Sequence, residues 1–153
     1  MAAAPGRSAR LEDLRAAAHD GLVGLLGIDV VSDDASMVVA EMRVHTALMA
    51  PNGFLHGGSI VALADTACGF GCWLSLPEDA PGFTTVELKT NFVGAAREGV
   101  LRCTARRIHF GRTTQVWDAE VRHPESGRTL ALFRCTQMVL WPRSAAGQSA
   151  ANG

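Results

Sequence analysis

His56-Gly57-Gly58 leads into Ser59 to Leu76, SIVALADTACGFGCWLSL, a long and almost wholly apolar run with one charge, Asp65, near its middle. Its length, and its Ala and Leu content near the start, favour helix over strand. Apolar residues fall on nearly every side of that helix, so other elements must wrap it. Spanning a membrane is the poorer reading. A central Asp costs about 2.5–3.5 kcal/mol on insertion scales, and the run is at the short limit for a span. Pro77-Glu78-Asp79-Ala80-Pro81-Gly82 then closes the helix with breakers.

Beyond the breakers the chain reads as strands: Phe83 to Val93, Gly99 to Phe110, Thr113 to His123 and Arg128 to Trp141. Their separators, Gly94 to Glu98, Gly111-Arg112 and Pro124 to Gly127, are short enough to require antiparallel neighbours. Upstream, Leu11, Leu14 and Ala18 recur at helical spacing within Arg10 to Gly21, and Gly21, Gly24 and Gly27 are expected to loosen any helix there. Ile28 to Val31 and Ser36 to Thr46 read as two antiparallel strands around a turn-like Ser32-Asp33-Asp34, and Pro51-Asn52-Gly53 is a further turn. A curved antiparallel sheet around one hydrophobic helix is the economical way to bury that helix. The expectation is a single α+β domain over 10–142, between a flexible N-terminus at 1–9 and a disordered tail at 143–153.

Composition narrows the function. Lys and Arg number 14 against 15 Asp and Glu, a net charge of -1, which argues against a nucleic-acid binder. Met1 to Arg10 lacks the apolar centre of a signal peptide, and Cys68, Cys72, Cys103 and Cys135 form no C-x-x-C pair. Free thiols in a cytoplasmic protein are the expectation, with Cys68 and Cys72 packed in the core rather than forming a thiol site.

The chemistry centres on Asp65. No basic residue lies anywhere from Gly57 to Leu76, and desolvation in apolar surroundings raises a carboxylate's pKa. Such a group is either a buried tether, hydrogen-bonded by Thr66 or a strand donor, or a functional acid or base. At the start of the same helix the first N–H groups lack internal partners, and Gly57 and Gly58 would let a ligand oxygen approach them. That arrangement can polarise a carbonyl and hold an oxyanion; it is also consistent with a simple turn. From Gly58 to Asp65 is roughly 10 Å along a helix. One helix therefore cannot bring its own N-terminus and its own Asp65 to the same carbon, whereas two antiparallel helices from two subunits can.

Asn52-Gly53-Phe54-Leu55-His56-Gly57-Gly58 followed by Ala62-Leu63-Ala64-Asp65-Thr66-Ala67 resembles the signature of hotdog-fold acyl-CoA thioesterases, most closely the PaaI-like, phenylacetate-pathway type. The nine-residue step from His56 to Asp65 is that family's spacing, and the likeness runs from about Gly27 to Leu140. The resemblance implies that Asp65 activates water or attacks the thioester, that the Gly57 N–H binds the carbonyl oxygen, that His56 shapes the turn, and that Thr85 positions the water. It implies hydrolysis of acyl-CoA to free acid and CoA without a metal or other cofactor, by a dimer that assembles further into a homotetramer. Substrate-binding candidates are Asn52, Gly58, Cys68, Gly69, Arg106 and Arg112. Many relatives carry an amide six residues before the histidine; here that position is Ala50, and Asn52 is the nearest substitute. Arg106 and Arg112, about the turn His109-Phe110-Gly111-Arg112, are candidates for the CoA phosphates or simply solvated charge. Phe54, Leu55, Phe70, Trp73 and Phe83 are candidates for an apolar acyl pocket. Two other functions stay open at this point: a hotdog dehydratase or hydratase, and a non-enzymatic acyl-CoA-binding regulator.

Overall fold

The computed structural model describes residues 7–17, 19–34 and 36–142. The tail expected at 143–153 and the first six residues lie outside them, whereas Arg7, Ser8 and Ala9, expected within a flexible N-terminus, are helical. Ten elements follow in order: α1 (Arg7–Ala17), α2 (Gly21–Leu26), β1 (Ile28–Asp34), β2 (Met37–Arg43), a 3-10 turn (Thr46–Leu48), α3 (Gly57–Leu74), β3 (Gly82–Phe92), β4 (Val100–Phe110), β5 (Thr114–His123) and β6 (Arg128–Leu140). The strands make one antiparallel sheet in the order β1-β2-β4-β5-β6-β3. β3 follows α3 in sequence yet pairs only with β6, so it forms one edge of the sheet. Helix and sheet together make the α+β hotdog architecture.

α3 lies across the sheet. Ile60, Leu63, Ala64, Ala67, Cys68, Gly71 and Cys72 are buried, at the alternating three- and four-residue steps that mark a single helix face. Gly71 is required by close approach: a Cβ there would stand 2.3 Å from Cη2 of Trp117 on β5. The sheet does not surround the helix. Val61, Ala62, Asp65, Thr66, Gly69, Phe70 and Trp73, on the other side, are only half-buried. Their cover within the chain comes partly from α1.

α1 is held down by Arg10, a residue that sequence reasoning assigned no part. Its side chain is 3% exposed. The guanidinium donates to the carbonyls of Leu76 (2.6 Å), Pro77 (3.1 Å), Trp73 (3.4 Å) and Ala80 (3.4 Å), the region where α3 ends. Trp73 Nε1 donates back to the Arg10 carbonyl at 3.3 Å. Carbonyls at a helix end have no partner inside the helix, and a cation suits the negative end of its dipole.

Two local expectations change. Gly21 and Gly24 do not loosen the chain but lie within the short helix α2, which Gly27 closes in the left-handed region at φ 62°. Gly24 is needed because a Cβ would fall 2.2 Å from the carbonyl oxygen of His19 as α2 folds back on the link from α1. Ser32 to Asp34 is strand rather than turn, with the register shifting between Val30 and Ser32. The reversal comes later, where the Asp34 carboxylate accepts from the N–H (2.8 Å) and hydroxyl (2.7 Å) of Ser36.

Candidate active site

Asp65 projects from the half-covered face of α3 into a cavity of about 320 Å³, lined by Leu14, Val23, Thr66, Gly69, Phe70, Trp73, Phe83 and Thr85 as well as Asp65 itself. Its Oδ1 is buried without a hydrogen-bond partner. Burial holds the carboxyl above its ordinary pKa. Neither Thr66 nor a strand donor of the same chain satisfies Oδ1. Of the apolar-pocket candidates, Phe70, Trp73 and Phe83 line this cavity, Leu55 is in the core, and Phe54 lies under the Arg97 guanidinium at 4.0 Å.

Thr85 shares the cavity from β3. Its hydroxyl donates to Oε1 of Gln137 on β6 at 2.9 Å. Gln137 is 0% exposed and was not singled out from sequence. The signal lay in strand phase, since the inward row Phe133, Cys135, Gln137, Val139 places one amide among apolar side chains. Leu14 and Val23, supplied by α1 and α2, were likewise not recognised as cavity walls.

The start of α3 is built differently. His56 is the N-cap, with extended backbone, and its Nδ1 accepts from the Gly58 N–H at 2.8 Å. The lone pair at Nδ1 is thus occupied, which puts the proton of a neutral ring on Nε2. Gly57 takes the first helical position, where its N–H has no partner inside the helix. A Cβ on Gly57 would meet Cζ of Phe92 at 3.0 Å, so glycine keeps this backbone open. Asn52 uses its Oδ1 to accept from the Phe54 N–H at 3.2 Å, bracing the turn before His56. None of His56, Gly57, Gly58 or Asn52 lines the Asp65 cavity. Eight residues of helix, roughly 12 Å, separate Gly57 from Asp65.

The remaining candidates scatter. Gly69 lines the cavity, while Cys68 faces the sheet, where a hydrogen bond with Cys135 and burial raise its pKa well above the ordinary thiol value. Burial pushes Cys72 and Cys103 up to about 12. All four cysteines are free and buried, which fits core packing and not a nucleophilic thiol. Arg106 lies in a groove on the outer sheet surface with Lys89, Arg122 and Arg134. Arg112 sits at the β4–β5 turn with its guanidinium 5.3 Å from the Trp141 ring. Among the described residues no group of three or more His, Cys, Asp or Glu could hold a metal ion.

An antiparallel sheet carrying a central helix, a half-buried carboxylate in an apolar cavity and a glycine-rich helix start together define a hotdog-fold acyl-thioester enzyme. The comparisons agree: the model of the thioesterase superfamily matches residues 52–130, and the chain belongs to that family. It is 34% identical to the 1,4-dihydroxy-2-naphthoyl-CoA hydrolase of Listeria monocytogenes over 76% of this chain and 93% of that protein. Among solved structures it is similar to a mutant of the thioesterase PA1618 from Pseudomonas aeruginosa, with TM-score 0.79 and 32% identity over 85% of this chain and 93% of that one. The Escherichia coli PaaI protein of the phenylacetic acid degradation operon gives TM-score 0.78 and 26% identity over 88% and 93%. The chain is a thioester hydrolase of PaaI-like type.

Proposed function

We propose that the protein hydrolyses an acyl-CoA with an aromatic or medium-chain acyl group, at sites that two subunits build together. The observation that carries the reading is Asp65: a carboxylate with one buried, unpartnered oxygen, facing an apolar cavity next to a strand hydroxyl. An ionised oxygen lacking donors is a strong acceptor, suited to take a proton from water or to attack a carbonyl carbon. Phe70, Trp73, Phe83, Leu14 and Val23 give the acyl group apolar walls, and a cavity near 320 Å³ is at the small end for ligand sites. Named relatives that act on an aryl-CoA support the substrate class.

The oxyanion donor comes from a second copy. β3 is an eleven-residue edge strand with exposed Val86 and Leu88, an edge that invites pairing. Twofold antiparallel pairing of β3 with its mate would run the two α3 helices antiparallel. Each Gly57 N–H would then lie toward the other subunit's Asp65, bridging the 12 Å that one chain cannot. A homotetramer of such dimers, with Arg106 and Arg112 available to CoA phosphates and four reduced thiols suited to a cytoplasmic setting, completes the reading.

Subunit mixing tests it. Asp65→Asn and Gly57→Pro homodimers should both be inactive against a panel of aryl, short, medium and long acyl-CoAs that the wild type hydrolyses. Unfolded together and refolded at equal amounts, they should recover about a quarter of wild-type turnover, because half of the molecules are mixed and each mixed dimer keeps one intact site. Sites lying within one subunit would recover nothing.

A further inference from the structure

We propose that Gln137 is a positioning residue for hydrolysis. From inside the sheet its amide oxygen takes the Thr85 hydroxyl hydrogen, so the hydroxyl's lone pairs face the cavity and accept from the attacking water. The inference rests on the acyl-CoA hydrolysis reading and identifies which of two chemistries Asp65 performs.

The geometry is specific. Thr85 and Gln137 are direct cross-strand partners in the β3–β6 register, and the register shifts immediately after them. Oε1 of Gln137 receives the Thr85 hydroxyl at 2.9 Å, and its Nε2 donates to Cys135 Sγ at 3.3 Å. A fully buried amide in an apolar row destabilises a sheet unless its groups are bonded, and here the stronger bond goes to the one polar side chain that lines the cavity from β3. A hydroxyl has one hydrogen and two lone pairs. With the hydrogen committed to Gln137, Thr85 can only accept from whatever occupies the cavity. Asp65, when ionised, also only accepts. Two acceptors lining one cavity are satisfied together by a molecule with two hydrogens to give, which is water.

That arrangement assigns Asp65 as general base. Water gives one hydrogen bond to Thr85 and loses its other proton to Asp65, while its oxygen forms the bond to the thioester carbonyl carbon. The carbonyl electron pair moves onto oxygen, held by the Gly57 N–H. On collapse the C–S bond breaks, and the departing thiolate takes the proton back from Asp65, leaving free acid and CoA thiol. Direct attack by Asp65 would leave an acceptor at Thr85 with no function in the first step.

The test uses the full chain and the acyl-CoA that the wild type turns over best. Gln137→Met keeps the side chain's length but replaces the amide oxygen with no more than a weak thioether acceptor, and Thr85→Val removes the hydroxyl. Each should lower kcat about tenfold with KM within about twofold, since an interaction made mainly in the transition state is lost. The double variant should be no slower than the slower single one, because both changes break the same link. Gln137→Glu, which retains an acceptor at the same reach, should recover most of the loss. Wild-type kcat in Gln137→Met, a changed KM in place of kcat, or losses that multiply in the double variant would each overturn the proposal. If Gln137→Met fails to fold, the double variant, which leaves no unpaired hydroxyl, is compared with Thr85→Val, and equal kcat is required. A wild type inactive on every acyl-CoA removes the hydrolysis reading and this one with it. A wild type that depends on Asp65 but not on Gln137 removes this one alone.

Discussion

The two faces of α3 divide the molecule's needs between them. Toward the sheet, Leu63, Ala64, Ala67, Cys68, Gly71 and Cys72 are closely packed and carry no charge. On the opposite face, Asp65, Thr66, Gly69, Phe70 and Trp73 line an open cavity, and one carboxylate oxygen is buried without a partner. The first face contributes apolar burial at about 25 cal/mol per Å²; the second holds a group whose desolvation opposes folding. About half a turn of rotation separates the packed face from the candidate site. Substitutions on one face should therefore move one measurement and spare the other.

The largest effect is expected at Asp65. Asp65→Asn should lower kcat by about 10²–10⁴-fold, the range for loss of a general base. Thermal stability should hold or rise. Burial raises the folded-state pKa, so the native protein binds a proton more tightly than the unfolded chain does. Stability due to this group accordingly falls as pH rises from the unfolded carboxylate value through the raised native one, and the penalty is complete above it. At neutral pH the neutral amide relieves that penalty. In the wild type, kcat should decline on acidification at a pH above the ordinary carboxylate value of about 3.9. A lower Tm for Asp65→Asn, measured by calorimetry, would make the residue a structural tether and dissolve the contrast between faces.

Next comes the helix start. Gly57→Pro deletes the proposed oxyanion donor at the first residue of a helix, where proline's fixed φ fits, and its ring must push aside the Phe92 side chain, whose Cζ would stand 3.0 Å from a Cβ here. His56 already has the extended φ -65°, ψ 134° that a residue before proline adopts. The expected loss in kcat is about 10²–10³-fold with near-native circular dichroism. Unchanged turnover would rule out this N–H as the donor.

Gly71→Ala probes the sheet face and should behave in the opposite sense. The added methyl would overlap the Trp117 ring, which is fully buried and fixed by Nε1 donating to Gln115 Oε1 at 3.0 Å. Overpacking of this kind costs about 1–3 kcal/mol. The midpoint of denaturant unfolding should fall while kcat stays near wild type. A loss of kcat without a loss of stability would show that the faces are coupled.

The contrast itself was only half legible in the sequence. Length and composition mark α3, and a lone charge in an apolar run marks Asp65, because both are local properties. A helix apolar on nearly all sides gives periodicity nothing to distinguish, so its two faces could not be told apart until the sheet covered one of them. Gln137 is a single inward amide, visible only once the phase of β6 is known. Arg10 escaped because its partners, Trp73 to Ala80, are tertiary neighbours far along the chain. Gly21 and Gly24 read as breakers, yet their lack of a side chain is what lets two short helices fold together. A conspicuous residue such as Asp65 could be singled out as a candidate from local sequence, whereas support that depends on register or long-range packing could not.

That lesson bears on the cavity's outer wall, which α1 and α2 supply. Leu14 lines the cavity opposite residues of α3 and β3, on a helix held in place by Arg10. Leu14→Ala should deepen the acyl site without touching Asp65, Thr85 or Gly57. The ratio of kcat/KM for a longer acyl chain over a shorter one should rise about tenfold, the lower end of what a change of pocket size supplies. If Leu14 serves only to pack α1 onto α3, the variant will instead lose stability, and kcat/KM will fall by the same factor for every acyl group. A selective shift would show that the half-covered face of α3 is a binding wall completed by the N-terminal helices, whereas a uniform fall would make it a second, looser core.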